Sequence, residues 1–238
     1  MTKPPRMIGM LGGMSWQSSA QYYRLINELV GERLGGLHSA RCVLASVDFA
    51  DVERLQVEGR WHEAGQLLAE AAKGLEAAGA DLMLLCTNTM HKVADQVQGA
   101  VSIPLLHLAD ATADAVNRAG LSTVGLLGTS FTMEQAFYRD RLASGGLTVL
   151  IPPSDDRAEV HRIIYEELCV GVVREESRQV YRDVIARLVQ AGTEGVVLGC
   201  TEIELLISAA DSPVPLFRTT RLHVEAAVDA SLAPRGSA

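Results

Sequence analysis

Ile8-Gly9-Met10-Leu11-Gly12-Gly13 and Val124-Gly125-Leu126-Leu127-Gly128-Thr129 are the two stretches on which the reading of this chain turns. Each is a short aliphatic run that ends in a tight glycine turn. Each leads into a helical pattern with a Tyr-Arg pair, Tyr23-Arg24 in the first and Tyr138-Arg139 in the second. A second matched pair lies downstream. Ala78-Gly79-Ala80-Asp81-Leu82-Met83-Leu84-Leu85-Cys86-Thr87 matches Ala191-Gly192-Thr193-Glu194-Gly195-Val196-Val197-Leu198-Gly199-Cys200. In both, Ala-Gly closes a helix before a strand begins. The pairs are offset by 116 and 113 positions, so the chain reads as a duplication.

Outward from these stretches, aliphatic or β-branched runs at Met7–Leu11, Arg41–Val47, Leu82–Leu85, Leu105–His107, Thr123–Leu127, Leu147–Ile151, Gly195–Leu198 and Leu216–Phe217 read as strands. Amphipathic stretches such as Trp61–Ala78 and Glu175–Ala191 lie between them. Alternating strand and helix implies parallel sheets with right-handed crossovers. The expected fold is α/β: two pseudo-symmetric Rossmann-like domains, each a mostly parallel sheet flanked by helices. No Pro- or Ser-rich linker separates them, so they are expected to join tightly. A ligand is expected in the interdomain cleft, at the C-terminal ends of the strands.

Composition narrows the class. Of 238 residues, 48% are hydrophobic and 21% charged, a globular balance. The net charge of −8 speaks against a broad nucleic-acid surface. The opening Met1–Arg6 lacks the apolar core of a secretory signal, and no run approaches the ~18 apolar residues that span a bilayer. A cytoplasmic protein with no membrane partner is expected. Cys42, Cys86, Cys169 and Cys200 are widely spaced without CxxC, so they are expected as thiols and not as zinc ligands.

The repeat places Thr87 and Cys200 at equivalent points, each just past a strand and before a helix. Backbone N–H groups there favour an anion, so a thiol at Cys200 is expected to have a lowered pKa and to act as a proton acceptor. Cys86 aligns with Gly199 and reads as structural, while Cys42 and Cys169 read as core. The turns Gly12-Gly13-Met14-Ser15 and Gly128-Thr129-Ser130 can present N–H and hydroxyl groups to a carboxylate, or simply allow tight turns. The first turn lacks GxGxxG, and no GxxxxGK[ST] is present, so neither a dinucleotide nor a phosphate loop is expected. His91 and Lys92 fit a helix surface at least as well as a cleft, and Met90 reads as packing. Asp48, Asp51 and Glu53 read as a solvated face, and Asp155-Asp156-Arg157 with Glu159 as a helix start.

With these residues in hand, Leu11-Gly12-Gly13-Met14-Ser15-Trp16, Cys86-Thr87-Asn88-Thr89-Met90-His91-Lys92 and Gly199-Cys200-Thr201-Glu202 resemble the aspartate/glutamate racemase family, over almost the whole chain. The likeness is greatest to its broad-specificity or L-Asp/Glu-preferring branch. The resemblance implies an amino-acid racemase that works without pyridoxal phosphate, metal or other cofactor. It implies a homodimer acting on a small amino acid. Its two domains would be 1–103 completed by the C-terminal helix in 214–238, and 104–213. Cys200 and Thr87 match the two catalytic positions. Ser15, in the first turn's motif, is expected among the substrate-binding residues. Asn88, Thr89, Thr129, Thr132, Thr201 and Glu202 match positions that line the substrate site, and Met14 and Gln56 match pocket positions in that branch.

Two departures stand out. Members typically carry two cysteines facing the α-carbon, but Thr87 replaces the first. This implies an asymmetric enzyme, with Cys200 serving one enantiomer well and Thr87 the other poorly. Aspartate-selective relatives often carry a lysine where Cys169 stands; in this chain Arg157 or Arg162 would have to supply the cation, so the substrate is expected to be Asp, Glu or a different amino acid. Other readings of the same pattern are an arylmalonate-type decarboxylase or another isomerase of this fold, and a small-molecule binding protein that has lost turnover.

Overall fold

The computed structural model describes residues 4–234. It divides into two compact units, one running to His107 and resuming at His223, the other Leu108–Leu222. The first unit contains β1 (Ile8–Gly12), α1 (Trp16–Leu34), β2 (Cys42–Ser46), α2 (Phe49–Val57), α3 (Trp61–Ala77), β3 (Leu82–Leu85), α4 (Ala94–Gln98) and β4 (Leu105–Leu106). Its four strands form one parallel sheet in the order β2-β1-β3-β4.

Successive strand residues point to opposite faces, and both faces are apolar because helices cover both. Ile8, Met10, Leu82 and Leu84 pack with Tyr22 and Ile26 of α1. Leu11, Met83 and Leu85 pack on the other side with Val52 of α2, Leu68 and Leu75 of α3, and Val97 of α4. Ser15 starts α1 as its N-cap, accepting the Ser18 N–H, and Gly35 (φ 73°) ends it in a conformation that suits glycine.

The second unit contains α5 (Leu108–Arg118), β5 (Thr123–Gly128), α6 (Ser130–Glu134), α7 (Ala136–Ser144), β6 (Thr148–Leu150), α8 (Ser154–Glu166), α9 (Glu175–Gln190), β7 (Gly195–Gly199), α10 (Ile203–Leu206) and β8 (Leu216–Arg218). Its sheet repeats the first, all parallel, in the order β6-β5-β7-β8. The register repeats as well. Ile8 sits opposite Leu82 in one sheet, and the equivalent Val124 sits opposite Gly195 in the other. Every strand expected from sequence is present. Acidic Asp155 and Asp156 lie in the first turn of α8, as the sequence indicated.

One detail of the repeat needs correction. Of the tyrosines in the helices that follow the two glycine turns, Tyr22 and Tyr138 are buried, while Tyr23 is exposed. The Tyr-Arg pairing is therefore one residue out of step, because a helix position is matched by the face it buries and not by its neighbour.

The final helix, α11 (Thr219–Leu232), begins in the second unit, and from His223 onward it belongs to the first. Val224, Ala227 and Val228 join the core of Ile8, Met10 and Tyr22. Ser231 and Arg6 exchange hydrogen bonds of 2.7 and 2.9 Å. The breaks expected before residues 104 and 214 fall ahead of β4 and β8. Each of these edge strands instead groups with the sheet whose ladder it joins. Among the described residues no helix is long and apolar enough to cross a membrane.

Candidate active site

In both sheets the strand order reverses between the first and third strands of the unit, β1/β3 and β5/β7. Open α/β sheets bind ligands beyond the carboxyl ends of the strands at such a point. The residues singled out from sequence fall at these ends, one set in each unit.

In the first unit, β1 runs into Gly13, whose φ of +97° places it in the left-handed region. A Cβ there would stand 2.1 Å from the Val47 carbonyl oxygen, so only glycine fits. The Gly13 N–H donates to Ser19 Oγ at 2.8 Å. Met14 and Ser15 follow, both buried. From β3 the chain passes Cys86 into Thr87, Asn88 and Thr89, all buried. Gln56 reaches in from α2 and donates Nε2–H to Met90 Sδ at 2.9 Å. Met90 is thus core, as expected, and also the anchor that ties Gln56 to the Asn88-Thr89 turn.

In the second unit, Thr129 caps α6. Its Oγ1 accepts the Thr132 N–H at 3.3 Å, and the two hydroxyls lie 3.2 Å apart. The Ser130 N–H donates to His161 Nδ1 at 3.2 Å, a support across 31 positions that no local pattern announces. Gly128 and Gly199 face each other in the ladder. A Cβ on Gly128 would meet Gly199 O at 2.9 Å, and a Cβ on Gly199 would meet Thr132 Cγ2 at 3.2 Å. The missing side chains let Thr132 pack against the ends of both strands. Just beyond Gly199, Cys200 Sγ–H donates to Glu202 Oε2 at 2.9 Å, and Thr201 Oγ1–H donates to the same oxygen at 2.7 Å. All three residues are buried.

The electrostatics of Cys200 differ from the sequence expectation. Burial, and after it the charge of Glu202 and the nearby Cys169, push the thiol well above its ordinary pKa. A lowered pKa was expected from a helix N-terminus. That helix, α10, is only Ile203–Leu206, and it starts three residues later. A carboxylate in contact outweighs so short a dipole. The resting group is a thiol that gives its proton to Glu202 as a hydrogen bond.

The other cysteines sort by burial. Cys86 lies in the core, where burial pushes its thiol up. Cys42 and Cys169 are only partly buried, less than a core assignment implies. Cys42 is on the edge strand β2, and Cys169 is in a short 3-10 turn after α8. Burial, then Glu202, raises Cys169 to about 12. The two arginines offered as lysine substitutes already have carboxylate partners. Arg157 pairs with Glu134, and Arg162 with Glu159, Glu166 and Glu167.

His91 also departs from expectation. It is buried, not on a helix surface, and its ring packs against His107 and His223. Lys92 beside it lies 3.7 Å over the Trp61 ring. Asp48 caps α2, and Asp51 pairs with Arg54 on the surface. Glu204 was missed altogether: burial raises its carboxyl to about 7 against the opposing charge of Arg218. Among the described residues no group of three or more His, Cys, Asp or Glu is arranged to hold a metal ion.

Fold and switch-point residues together define a class: duplicated α/β proteins in which each half ends its first and third strands in small polar groups, with a thiol in one half. The family model for Asp/Glu/Hydantoin racemases matches residues 11–227, and the chain belongs to that family. A candidate Asp/Glu racemase from Yersinia pestis is similar at 52% identity and a TM-score of 0.91, over 96% of this chain and 100% of that one. An aspartate racemase homologue from Pyrococcus horikoshii is similar at 32% identity and a TM-score of 0.85, again over 96% and 100%. A broad-specificity amino-acid racemase of Bacillus subtilis is 21% identical over 175 residues, 72% of this chain and 74% of its own length.

Proposed function

We propose that this chain is a cofactor-independent amino-acid racemase acting at the α-carbon of Asp, Glu or a related amino acid. Cys200 is the thiol acid/base and Thr87 its weaker counterpart. The observation that carries this reading is the Cys200–Glu202 hydrogen bond at the end of β7. Its raised pKa keeps Cys200 protonated at rest, so it takes the α-proton only after its own has left, and Glu202 is the group placed to receive that proton. Proton transfer from Sγ to Glu202 Oε2 leaves a thiolate beside a neutral carboxyl. The arriving substrate ammonium favours the thiolate further. The thiolate takes the α-proton from the enantiomer that presents it, the L form by analogy with its branch. The Thr87 hydroxyl delivers a proton to the opposite face and recovers one from solvent, while Glu202 gives up to solvent the proton it took from Cys200, which returns both groups to their starting state. In reverse, Cys200 donates. The hydroxyls of Thr129 and Thr132, with Asn88, Thr89 and Thr201, hold the substrate's polar groups. Glu202 therefore has a second part beyond substrate binding.

The asymmetry has a definite form. Two enantiomers have equal free energy in water, so kcat/KM for net racemisation is equal in the two directions. Unequal bases show themselves in exchange of the α-proton with solvent. Cys200 alone can exchange the L form with retention, whereas the D form depends on Thr87. The test is incubation with L- and D-Asp and L- and D-Glu in heavy water, following the α-proton signal by NMR. Faster loss from one enantiomer is expected. No loss from any amino acid overturns the reading in favour of a decarboxylase or a binding protein.

A further inference from the structure

The turn that carries Thr87 is anchored group by group. The Thr87 N–H folds back onto the Leu85 carbonyl at 2.8 Å. The Cys86 carbonyl accepts from Ser18 Oγ at 3.0 Å, and the Cys86 N–H donates to Leu11 O at 2.9 Å. The Thr87 carbonyl lies 2.8 Å from His91 Nδ1. A carbonyl has no proton to give, so Nδ1 carries the hydrogen and His91 is the donor. Burial, then the neighbouring His107 and His223, hold the imidazole neutral, which leaves it a single N–H; the Thr87 carbonyl is its leading acceptor, with the adjacent Asn88 backbone second.

His91 is itself held in place. The His107 ring centroid is 4.6 Å away and that of His223 5.7 Å. His223 Nε2 donates to the Leu106 carbonyl at 2.8 Å, so its Nδ1 accepts the Tyr22 hydroxyl at 2.9 Å. The chain of support runs from α1 and α11 through His223 to His91 and ends on Thr87. The other half lacks this device. The repeat places Glu204 where His91 stands, and the Cys200 carbonyl accepts the Ile203 N–H at 3.3 Å.

We infer that His91 is the positioning residue for Thr87: its Nδ1–H fixes the Thr87 carbonyl and so the aim of the hydroxyl, and the His107–His223–Tyr22 assembly fixes His91. The inference rests on the reading of Thr87 as the weaker acid/base. Placement matters at any reacting group, where a displacement of about 1 Å can cost on the order of 100-fold, and His91 holds the Thr87 side only.

The test compares His91→Phe, which keeps a ring in the cluster but no donor, with His91→Asn, whose amide N–H sits close to the Nδ1 position. Exchange of α-protons in heavy water is followed for D- and L-enantiomers of Asp and Glu. His91→Phe is expected to slow D-exchange by about 10- to 100-fold while L-exchange, which reports the fold and Cys200, is little changed; His91→Asn restores D-exchange. A role in packing alone predicts the reverse, rescue by Phe and not by Asn. Unchanged D-exchange in His91→Phe, or a parallel loss for both enantiomers that Asn does not restore, overturns the inference. Wild-type protein that exchanges neither enantiomer overturns the racemase reading instead. The tautomer then judges the bond directly. Long-range nitrogen–proton NMR of the wild type is expected to show neutral His91 protonated at Nδ1, and protonation at Nε2 overturns the inference by itself.

Discussion

Cys200 Sγ and Glu202 Oε2 lie 2.9 Å apart, with the thiol as donor. The charge of that carboxylate is the second cause, after burial, of the raised thiol pKa. Replacing Glu202 with Gln removes the charge and keeps the shape. The thiol of Glu202→Gln is expected to become more acidic, read as thiolate absorbance or alkylation rate against pH. α-Proton exchange is nevertheless expected to slow, because the proton acceptor is gone. Faster exchange alongside a more acidic thiol would remove Glu202 from the mechanism.

Cys200→Ala is expected to abolish exchange of the L-enantiomer. Cys200→Ser keeps a hydroxyl in place and is expected to lower the rate by about 10²- to 10⁴-fold, the usual worth of a placed acid/base. Wild-type rates in Cys200→Ala would exclude the thiol as the reacting group.

Thr87→Cys restores a second thiol at the equivalent strand end. D-enantiomer exchange is expected to rise by at least about 10-fold, and the two exchange rates to converge. A fall in D-exchange, with the fold intact by circular dichroism, would show that the hydroxyl has a part a thiol cannot take.

The histidine cluster makes stability depend on pH. Burial, then the charge of His107, lowers His223 to about 4, and His91 is lowered as well. The unfolded chain, with imidazoles near ~6.5, takes up protons first as pH falls. The contribution of His223 is therefore complete above about pH 6.5 and is lost progressively toward about pH 4, on the order of 3 kcal/mol. Thermal melts from pH 7.5 to 4.5 are expected to show this fall, and His223→Phe a shallower one.

Gly128→Ala places a Cβ 2.9 Å from the Gly199 carbonyl oxygen, a backbone atom that cannot swing away. Overpacking of this kind is expected to cost about 1–3 kcal/mol in urea unfolding. It should also shift Thr132 and weaken substrate binding, seen as a raised KM.

Strand positions, glycine turns and the duplication were legible because they are local or periodic. Ile8–Gly12 and Thr123–Gly128 announce themselves by aliphatic runs and by turns that need glycine. The repeat then places Thr87 and Cys200 at matching strand ends without any structure. Two like α/β halves and the residues at their switch points can thus be read without coordinates. The chemical state of those residues, by contrast, is set by contacts made on folding. Cys200 is a thiol and not a thiolate because its burial and the Glu202 contact depend on how a turn closes, which spacing does not encode. His91, His107 and His223 are far apart in sequence, yet they meet because β3, β4 and α11 pack together in one unit. Periodicity tells which face of an element is buried. It does not tell which distant side chain waits there, and that neighbour sets a proton's position.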